Sequence, residues 1–230
     1  MFKKRNDGRK FDELRKMEAK VGVVKRADGS AMFKIGNTVA IAAVYGPRTL
    51  YAKSLQKGDT AILRCNYNMM AFSGSGERIR PGPSRRSKEI SLVTEKALLP
   101  VLDLAEYPGA VVDVYIELVQ TDSGTRCAGI CAAAMALADA GFKMKDMVSA
   151  IAVGRIEDKV VVDVNKEEED YEGGMADMPV AVMPRKGEVT LLQMDGFASP
   201  KEIKEMIEAA KKACKEVYKV QREALKERYK

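Results

Sequence analysis

Residues 120–141 read Q-T-D-S-G-T-R-C-A-G-I-C-A-A-A-M-A-L-A-D-A-G. Here a strand ends, a short polar turn intervenes and an Ala-rich helix begins, and the rest of the chain is arranged around that sequence of events. Val111–Val119, just before, reads as the strand. The turn Asp122-Ser123-Gly124-Thr125-Arg126 sets two hydroxyls, a glycine N–H and a guanidinium where the helix starts. Free N–H groups and the positive end of a helix dipole make such a start an anion site. Ordinary N-capping by Ser123 or Thr125 is the competing reading. The helix stops at Gly141, a natural residue to follow a helix C-terminus.

Working outward toward the N-terminus, the helix Arg85–Leu98 is capped by Ser84 and stopped by Pro100. Before it lies a Gly/Pro/Ser- and Arg-rich segment, Ser73–Arg86, that cannot be regular structure, and a strand, Ala61–Met70. Arg48–Thr60 is a polar, basic loop. Ala19–Arg26, Ser30–Ile35 and Asn37–Tyr45 read as strands parted by turns at Asp28-Gly29 and Gly36-Asn37. The apolar run Val39–Val44 marks a buried strand. On the C-terminal side, Ala150–Arg155 and Lys159–Val164 form a hairpin around Glu157-Asp158, and Val180–Met183 and Val189–Met194 form another. An acidic loop, Lys166–Gly174, separates them. Ser199 and Pro200 open a long final helix with Ile203, Ile207, Ala210, Cys214 and Val217 at helical spacing. No repeat or low-complexity linker divides the chain. The expected fold class is therefore α/β (α+β): mixed β-sheets packed with helices and a long C-terminal helix, in one domain spanning residues 1–230.

Composition removes whole classes of chemistry. The chain contains no histidine, so Ser-His-Asp and Cys-His hydrolysis and imidazole acid–base or metal chemistry are excluded within it. Any general acid must be a carboxylate, Lys, Tyr or Cys. The four cysteines, Cys65, Cys127, Cys131 and Cys214, have no C-x-x-C spacing; they read as small core residues in a reducing cytoplasmic protein, not a zinc site. No apolar run is long enough for a membrane span, and the charged start of the chain is not expected to be a signal peptide. The net charge of +6 suits a polyanionic partner. There is no G-x-x-x-x-G-K-[ST] loop, no G-x-S-x-G elbow and no RNP-type aromatic platform.

Two further features carry chemical content beside the turn at Ser123–Arg126. Arg85-Arg86, preceded by Arg78 and Arg80, can grip phosphate oxygens bidentately at a helix start, or be a solvated basic loop. Asp177 follows Gly173-Gly174 and stands at the mouth of an apolar strand, where it could act on a neighbouring substrate or merely cap a turn. Glu167–Asp170 reads as a solvated acidic loop.

Arg5-Asn6-Asp7-Gly8-Arg9, Gly29-Ser30, Gly36-Asn37-Thr38-Val39 and Val44-Tyr45-Gly46-Pro47 resemble the ribonuclease PH family. So do Pro83-Ser84-Arg85-Arg86, Asp122-Ser123-Gly124-Thr125-Arg126, Ala136-Leu137-Ala138-Asp139-Ala140-Gly141 and Ala176-Asp177-Met178-Pro179, in the family's order and over nearly the whole chain. Met178–Pro184 and Arg222–Lys226 are most similar to the catalytic ring subunit of the archaeal exosome, and less so to free-standing bacterial tRNA-trimming ribonuclease PH.

The resemblance implies a ribonuclease PH-like fold and a phosphorolytic 3′→5′ exoribonuclease. Inorganic phosphate, as co-substrate, attacks the last phosphodiester of RNA and releases a nucleoside diphosphate; the reverse reaction tails RNA. The family's phosphate loop maps onto Ser123, Gly124, Thr125 and Arg126, its RNA-gripping arginines onto Arg85 and Arg86, and its essential acid onto Asp177. A second family carboxylate maps onto Asp170, although the spacing to Asp177 is one residue longer than usual. The basic loop carrying Arg48 and Lys53 resembles the one that lines the RNA entrance of the ring. Implied partners are single-stranded RNA, a homologous inactive subunit in a hexamer of three heterodimers, and RNA-binding cap proteins; a role for Mg2+ is left open. The alternatives are a non-catalytic RNA-binding ring subunit and a homohexameric tRNA 3′-end-trimming enzyme. Physical chemistry leads to the same roles: a phosphate dianion approaching an anionic diester needs charge neutralisation and positioning. Without histidine, a carboxyl with a raised pKa is the natural donor to the leaving oxygen.

Overall fold

The computed structural model describes every residue except Met1, Ala52 and Pro81. Ala52 of the basic loop and Pro81 of the Gly/Pro-rich segment, both expected in irregular structure, therefore lie outside the described residues. In chain order the elements are strands β1 (Met17–Val21), β2 (Gly29–Ile35), β3 (Thr38–Thr49) and β4 (Ile62–Met69), helix α1 (Arg85–Leu98), strand β5 (Ala110–Gln120) and helix α2 (Thr125–Asp139). Then come β6 (Ser149–Ile156), β7 (Lys159–Val162), the one-turn helix α3 (Lys166–Glu169), β8 (Met175–Met183), β9 (Glu188–Leu192) and α4 (Pro200–Arg228).

Two sheets result. The first has the order β1-β2-β3-β5-β4 and is antiparallel except between β4 and β5. That parallel pair requires a crossover, which α1 supplies. The second is the antiparallel sheet β7-β6-β8-β9. Helix α2 lies between the two sheets and is buried on nearly every side, from Cys127 to Leu137 without a break. Its Ala, Gly and Cys composition follows from that place: a helix with no solvent face has no polar stripe, and small side chains let both sheets approach.

Ala31, Ala40 and Ala42 answer it from the first sheet. Gly29, expected in a turn, instead opens β2, where an added Cβ would lie 2.3 Å from the backbone nitrogen of Ala140. Only glycine lets the strand pass beneath the end of α2. One continuous core cluster runs from Phe33 and Val114 through Ile130 and Met135 to Val180, Met206 and Val217.

Helix α4 is amphipathic, as its spacing predicts, and buries Met206, Ala210, Cys214 and Val217. Ser199 caps it, with Glu202 completing a capping box. Its buried Gln221 accepts from the Ser149 hydroxyl at 2.6 Å and donates to the carbonyls of Cys131 and Val148. All four cysteines are buried free thiols. Among the described residues no helix is long and apolar enough to cross a membrane.

Three further expectations need correcting. The strand expected over Asn37–Tyr45 runs on as β3 to Thr49, pairing Arg48 with Val111, so Arg48 belongs to the sheet and not to the basic loop. The first strand is Met17–Val21 and not Ala19–Arg26, because Gly22, at φ +72°, turns the chain out of the sheet. The acidic stretch after Asn165 is not a solvated loop throughout. Asn165 caps the turn of helix α3, and Glu168 is wholly buried against Arg5.

Candidate functional site

Helix α2 starts at the seam between the sheets, and its start is uncapped. The N-cap residue is Gly124, at φ +64°, and among the described residues no side chain caps the helix start. The reading of Ser123 or Thr125 as ordinary caps is thereby overturned: Ser123 itself sits at φ +55°, so the turn presents two consecutive left-handed residues. The first-turn N–H groups are left for something else to satisfy.

They face a cleft of about 590 Å³. Ser123, Gly124, Thr125 and Arg126 form one wall, Asp177 and Asp195 a second, and Arg86 reaches in from the start of α1. Gly74, Ser75 and Ile79, from the irregular segment before α1, line it as well. A smaller cavity of about 140 Å³ shares Met69, Ile79 and Arg86 with it, so Arg86 stands at their junction.

Each charged group has a distinct support. Arg126 donates to the amide oxygen of Gln193 and lies 3.5 Å from Glu89, which also accepts from Gln193 Nε2 at 3.1 Å. Asp177 is held by its backbone, which exchanges hydrogen bonds of 2.8 and 2.9 Å with Asp195. Its side-chain Oδ1 is buried and, among the described residues, has no hydrogen-bond partner. Burial, followed by the negative charge of Glu169, pushes the Asp177 carboxyl up to about 6; Asp195 adds to the rise, while Arg126 and Arg86 oppose it. A carboxyl in that range can carry a proton at near-neutral pH and deliver it. Burial raises the adjoining Cys127 thiol as well, so it offers no thiolate.

Of the sequence-predicted residues, Ser123, Gly124, Thr125, Arg126, Arg86 and Asp177 share this cleft. Arg85, beside Arg86, does not line it. Asp170 pairs with Lys166 at the surface and is absent from the lining, whereas Glu169 takes the place beside Asp177. Lys53 starts a short exposed 3-10 turn, Lys53–Leu55, and Arg48 lies over the ring of Tyr45, 4.7 Å from its centroid; neither reaches the cleft. Sequence reasoning missed Glu169, Asp195, Gln193 and Glu89. Asp195-Gly196 directly after a strand was the one visible hint, since that position returns to β8 through the β8–β9 hairpin.

Family models described as 3′ exoribonuclease family, domain 1 and domain 2, match residues 13–143 and 146–213. The chain belongs to the 3′ exoribonuclease family. It is 52% identical over 225 residues to the exosome complex component Rrp41 of Methanopyrus kandleri, covering 98% of this chain and 93% of that one. It is 55% identical over 226 residues to exosome complex component Rrp41 of Pyrococcus horikoshii, covering 98% and 90%. The crystal structure of rice (Oryza sativa) Rrp46 superposes with a TM-score of 0.86 at 24% identity, covering 96% of this chain and all of that one, a likeness of fold. The family's exonuclease chemistry thus meets a cleft with an uncapped helix start, two guanidiniums and a raised carboxyl.

Proposed function

We propose that this chain is a phosphorolytic 3′→5′ exoribonuclease and the catalytic subunit of an exosome ring. The carrying observation is the convergence of the uncapped start of α2, Arg126, Arg86 and the unpartnered carboxyl of Asp177 on one cleft. Inorganic phosphate binds at Ser123–Arg126, where N–H groups, hydroxyls and a fixed guanidinium orient it. Arg86 holds the terminal phosphodiester at the junction of the two cavities and offsets its charge. An oxygen of the bound phosphate attacks the terminal phosphorus and the bond to the 3′-oxygen breaks. Asp177 gives that oxygen its proton, and a nucleoside diphosphate leaves. The shortened RNA carries a free 3′-hydroxyl, and the next protonated phosphate restores the acid.

Arg85 contributes to RNA affinity from outside the cleft, and Arg48 at the end of β3, with Lys53 in the loop beyond it, meets the RNA before it arrives. Asp170 is assigned no direct step; its neighbour Glu169 does the electrostatic work. Among the described residues no group of three or more His, Cys, Asp or Glu side chains is arranged to hold a metal ion.

The assembly we propose is a hexamer of three heterodimers with a homologous inactive subunit, carrying RNA-binding caps, in the cytoplasm. It is supported by the exosome components to which the chain is similar and by the exposed Leu192, Met194 and Phe197 beside the edge strand β9, a surface a neighbouring subunit would cover. Residues 1–230 act as one unit, as the continuous core suggests.

The test is an RNA-decay assay with and without inorganic phosphate. Phosphate-dependent release of nucleoside diphosphates is expected, and monophosphates formed in phosphate-free buffer would refute the reading. Arg86→Ala is expected to weaken RNA binding and flatten its salt dependence more than Arg85→Ala does.

A further inference from the structure

Asp122 precedes the anion turn and does not line the cleft, yet more bonds meet at it than at any catalytic candidate. Its N–H donates to the hydroxyl of the buried Thr38 at 2.9 Å, and that hydroxyl donates to the carbonyl of Ser123 at 2.7 Å. Its own carbonyl accepts from Arg15 Nη1 at 2.6 Å. Of its carboxylate oxygens, Oδ2 accepts from Asn37 Nδ2 at 3.2 Å and lies 3.5 Å from Arg15. Oδ1 accepts from the backbone N–H of Lys166 at 3.0 Å. Arg15 is anchored in turn by the buried Asp163, to which it donates from Nε and Nη2 at 2.9 and 2.7 Å.

The last bond at the carboxylate matters most. Ser123 and Gly124 belong to the loop leaving the first sheet, whereas Lys166 opens α3, which hangs from the second. Glu169, three residues on, lines the cleft beside Asp177. Asp122 is therefore where the anion turn and the acidic turn are fixed to each other. The left-handed Ser123 also needs holding, and the bonds through Thr38 and Arg15 hold it.

We infer that Asp122 is the positioning residue of this site: it sets the anion turn and the acidic turn in register, so that phosphate and the proton donor meet at the same bond. The inference rests on the phosphate reading of the cleft. It makes a prediction opposite to that of simple charge. A carboxylate near a phosphate site should hinder phosphate, so removing it should tighten binding. If Asp122 acts as a bracket, removing it loosens binding instead. It also lets Glu169 drift from Asp177, which moves the proton donor toward an ordinary carboxylate. The charged and titratable groups that line the cleft with Asp177 are Glu169 and Lys166 from the acidic turn, Tyr171 after it, Arg126 and Cys127 from α2, Arg86 from α1, Glu77 before α1, and Asp195 after β9. Among the negative groups, only Glu169 belongs to the turn that Asp122 holds.

The experiment measures phosphorolysis by the full-length chain, in the assembly in which it is purified, for Asp122→Ala, Lys166→Pro and Lys166→Ala. Lys166 is the first residue of α3, after an extended Asn165, a place where proline fits, so Lys166→Pro deletes the N–H that bonds Asp122. Lys166→Ala removes the same side chain and keeps that N–H. Losing a hydrogen bond to a charged group predicts a KM for phosphate raised about tenfold in Asp122→Ala, and by a similar factor in Lys166→Pro over Lys166→Ala. RNA affinity should be unchanged, kcat should fall less than KM rises, and the alkaline limb of the pH profile should move to lower pH. Unchanged or tighter phosphate binding overturns the inference, as does a fall in kcat alone, which reports only lost folded protein. If Asp122→Ala does not fold, the proline–alanine comparison decides alone. Wild-type RNA decay that ignores phosphate would instead remove the phosphate reading, and this inference with it.

Discussion

Two clusters of charge meet at one acidic turn, through Glu168 in the first and Glu169 in the second, and are finished in opposite ways. In the first, Arg5 grips Glu168 with two bonds of 2.7 and 2.8 Å and spends its remaining N–H groups on the carbonyls of Val162 and Asp163 at 2.8 Å and of Lys10 and Glu13 at 3.2 Å. Both side chains are wholly buried and every bond is made. In the second, the cleft, Arg86 faces open space, the start of α2 has no cap, and Asp177 Oδ1 has no partner. The same residue types build a closed fastening in one place and an open cleft in the other. A buried polar group without a partner costs stability, so the cleft is the less stable arrangement of the two.

The contrast can be broken most severely at Asp177. As proton donor, its replacement in Asp177→Asn should lower kcat by about 10²–10⁴-fold while RNA binding persists, measured by turnover and direct binding. Retained turnover would take Asp177 out of the mechanism. At the fastening, Arg5→Ala leaves the Glu168 carboxylate buried without its counter-ion, with the Asn165 N–H still bonded to it, a loss of about 3–5 kcal/mol expected in denaturant unfolding. A loss under 1 kcal/mol would show that Glu168 finds other partners or a proton. The pH profile sharpens the cleft's side: with the carboxyl at about 6, turnover should fall as pH rises through that value, because the protonated donor is lost. Bound phosphate and RNA, both anionic, should carry that limb to higher pH.

The smallest effect concerns stability. The folded-state pKa of Asp177 lies above its ordinary 3.8, so the folded state holds this proton more tightly and loses stability between 3.8 and about 6. Asp177→Asn removes that loss, and should stabilise the inactive protein by about 1–2 kcal/mol at pH 7, with the difference vanishing below pH 4. A variant no more stable than the parent at pH 7 would mean that the carboxylate is better solvated than its burial indicates.

The frame was legible because its signals are local. Hairpin spacing gave β6–β7 and β8–β9, the small-residue run gave an inner helix, and Ser199-Pro200 gave the start of α4. The polar turn stood out between an apolar strand and an Ala-rich helix, Asp177 stood at the mouth of an apolar strand, and the family resemblance joined the two. Partnerships across the fold were not. Glu169 and Asp170 are neighbours in sequence, and only the direction of a single helical turn sends the first into the cleft and the second to Lys166. Asp195 arrives through the register of β8 with β9, and Gln193 reaches Arg126 by the same route. Glu168 looked like one of a run of solvated acids, since nothing near it announces an arginine 163 residues earlier.

That separation bears on how the protein is made. Arg5 leaves the ribosome before its partner, which follows 163 residues later. At roughly 5–20 residues per second the wait is about 8–30 s. During that interval the first sheet can assemble, but its N-terminal lead must stay loose, with a guanidinium that has nowhere to go. Closure of the segment around Arg5 therefore reports on completion of the second sheet, and such a segment left open to protease marks a nascent chain whose cleft is not yet built.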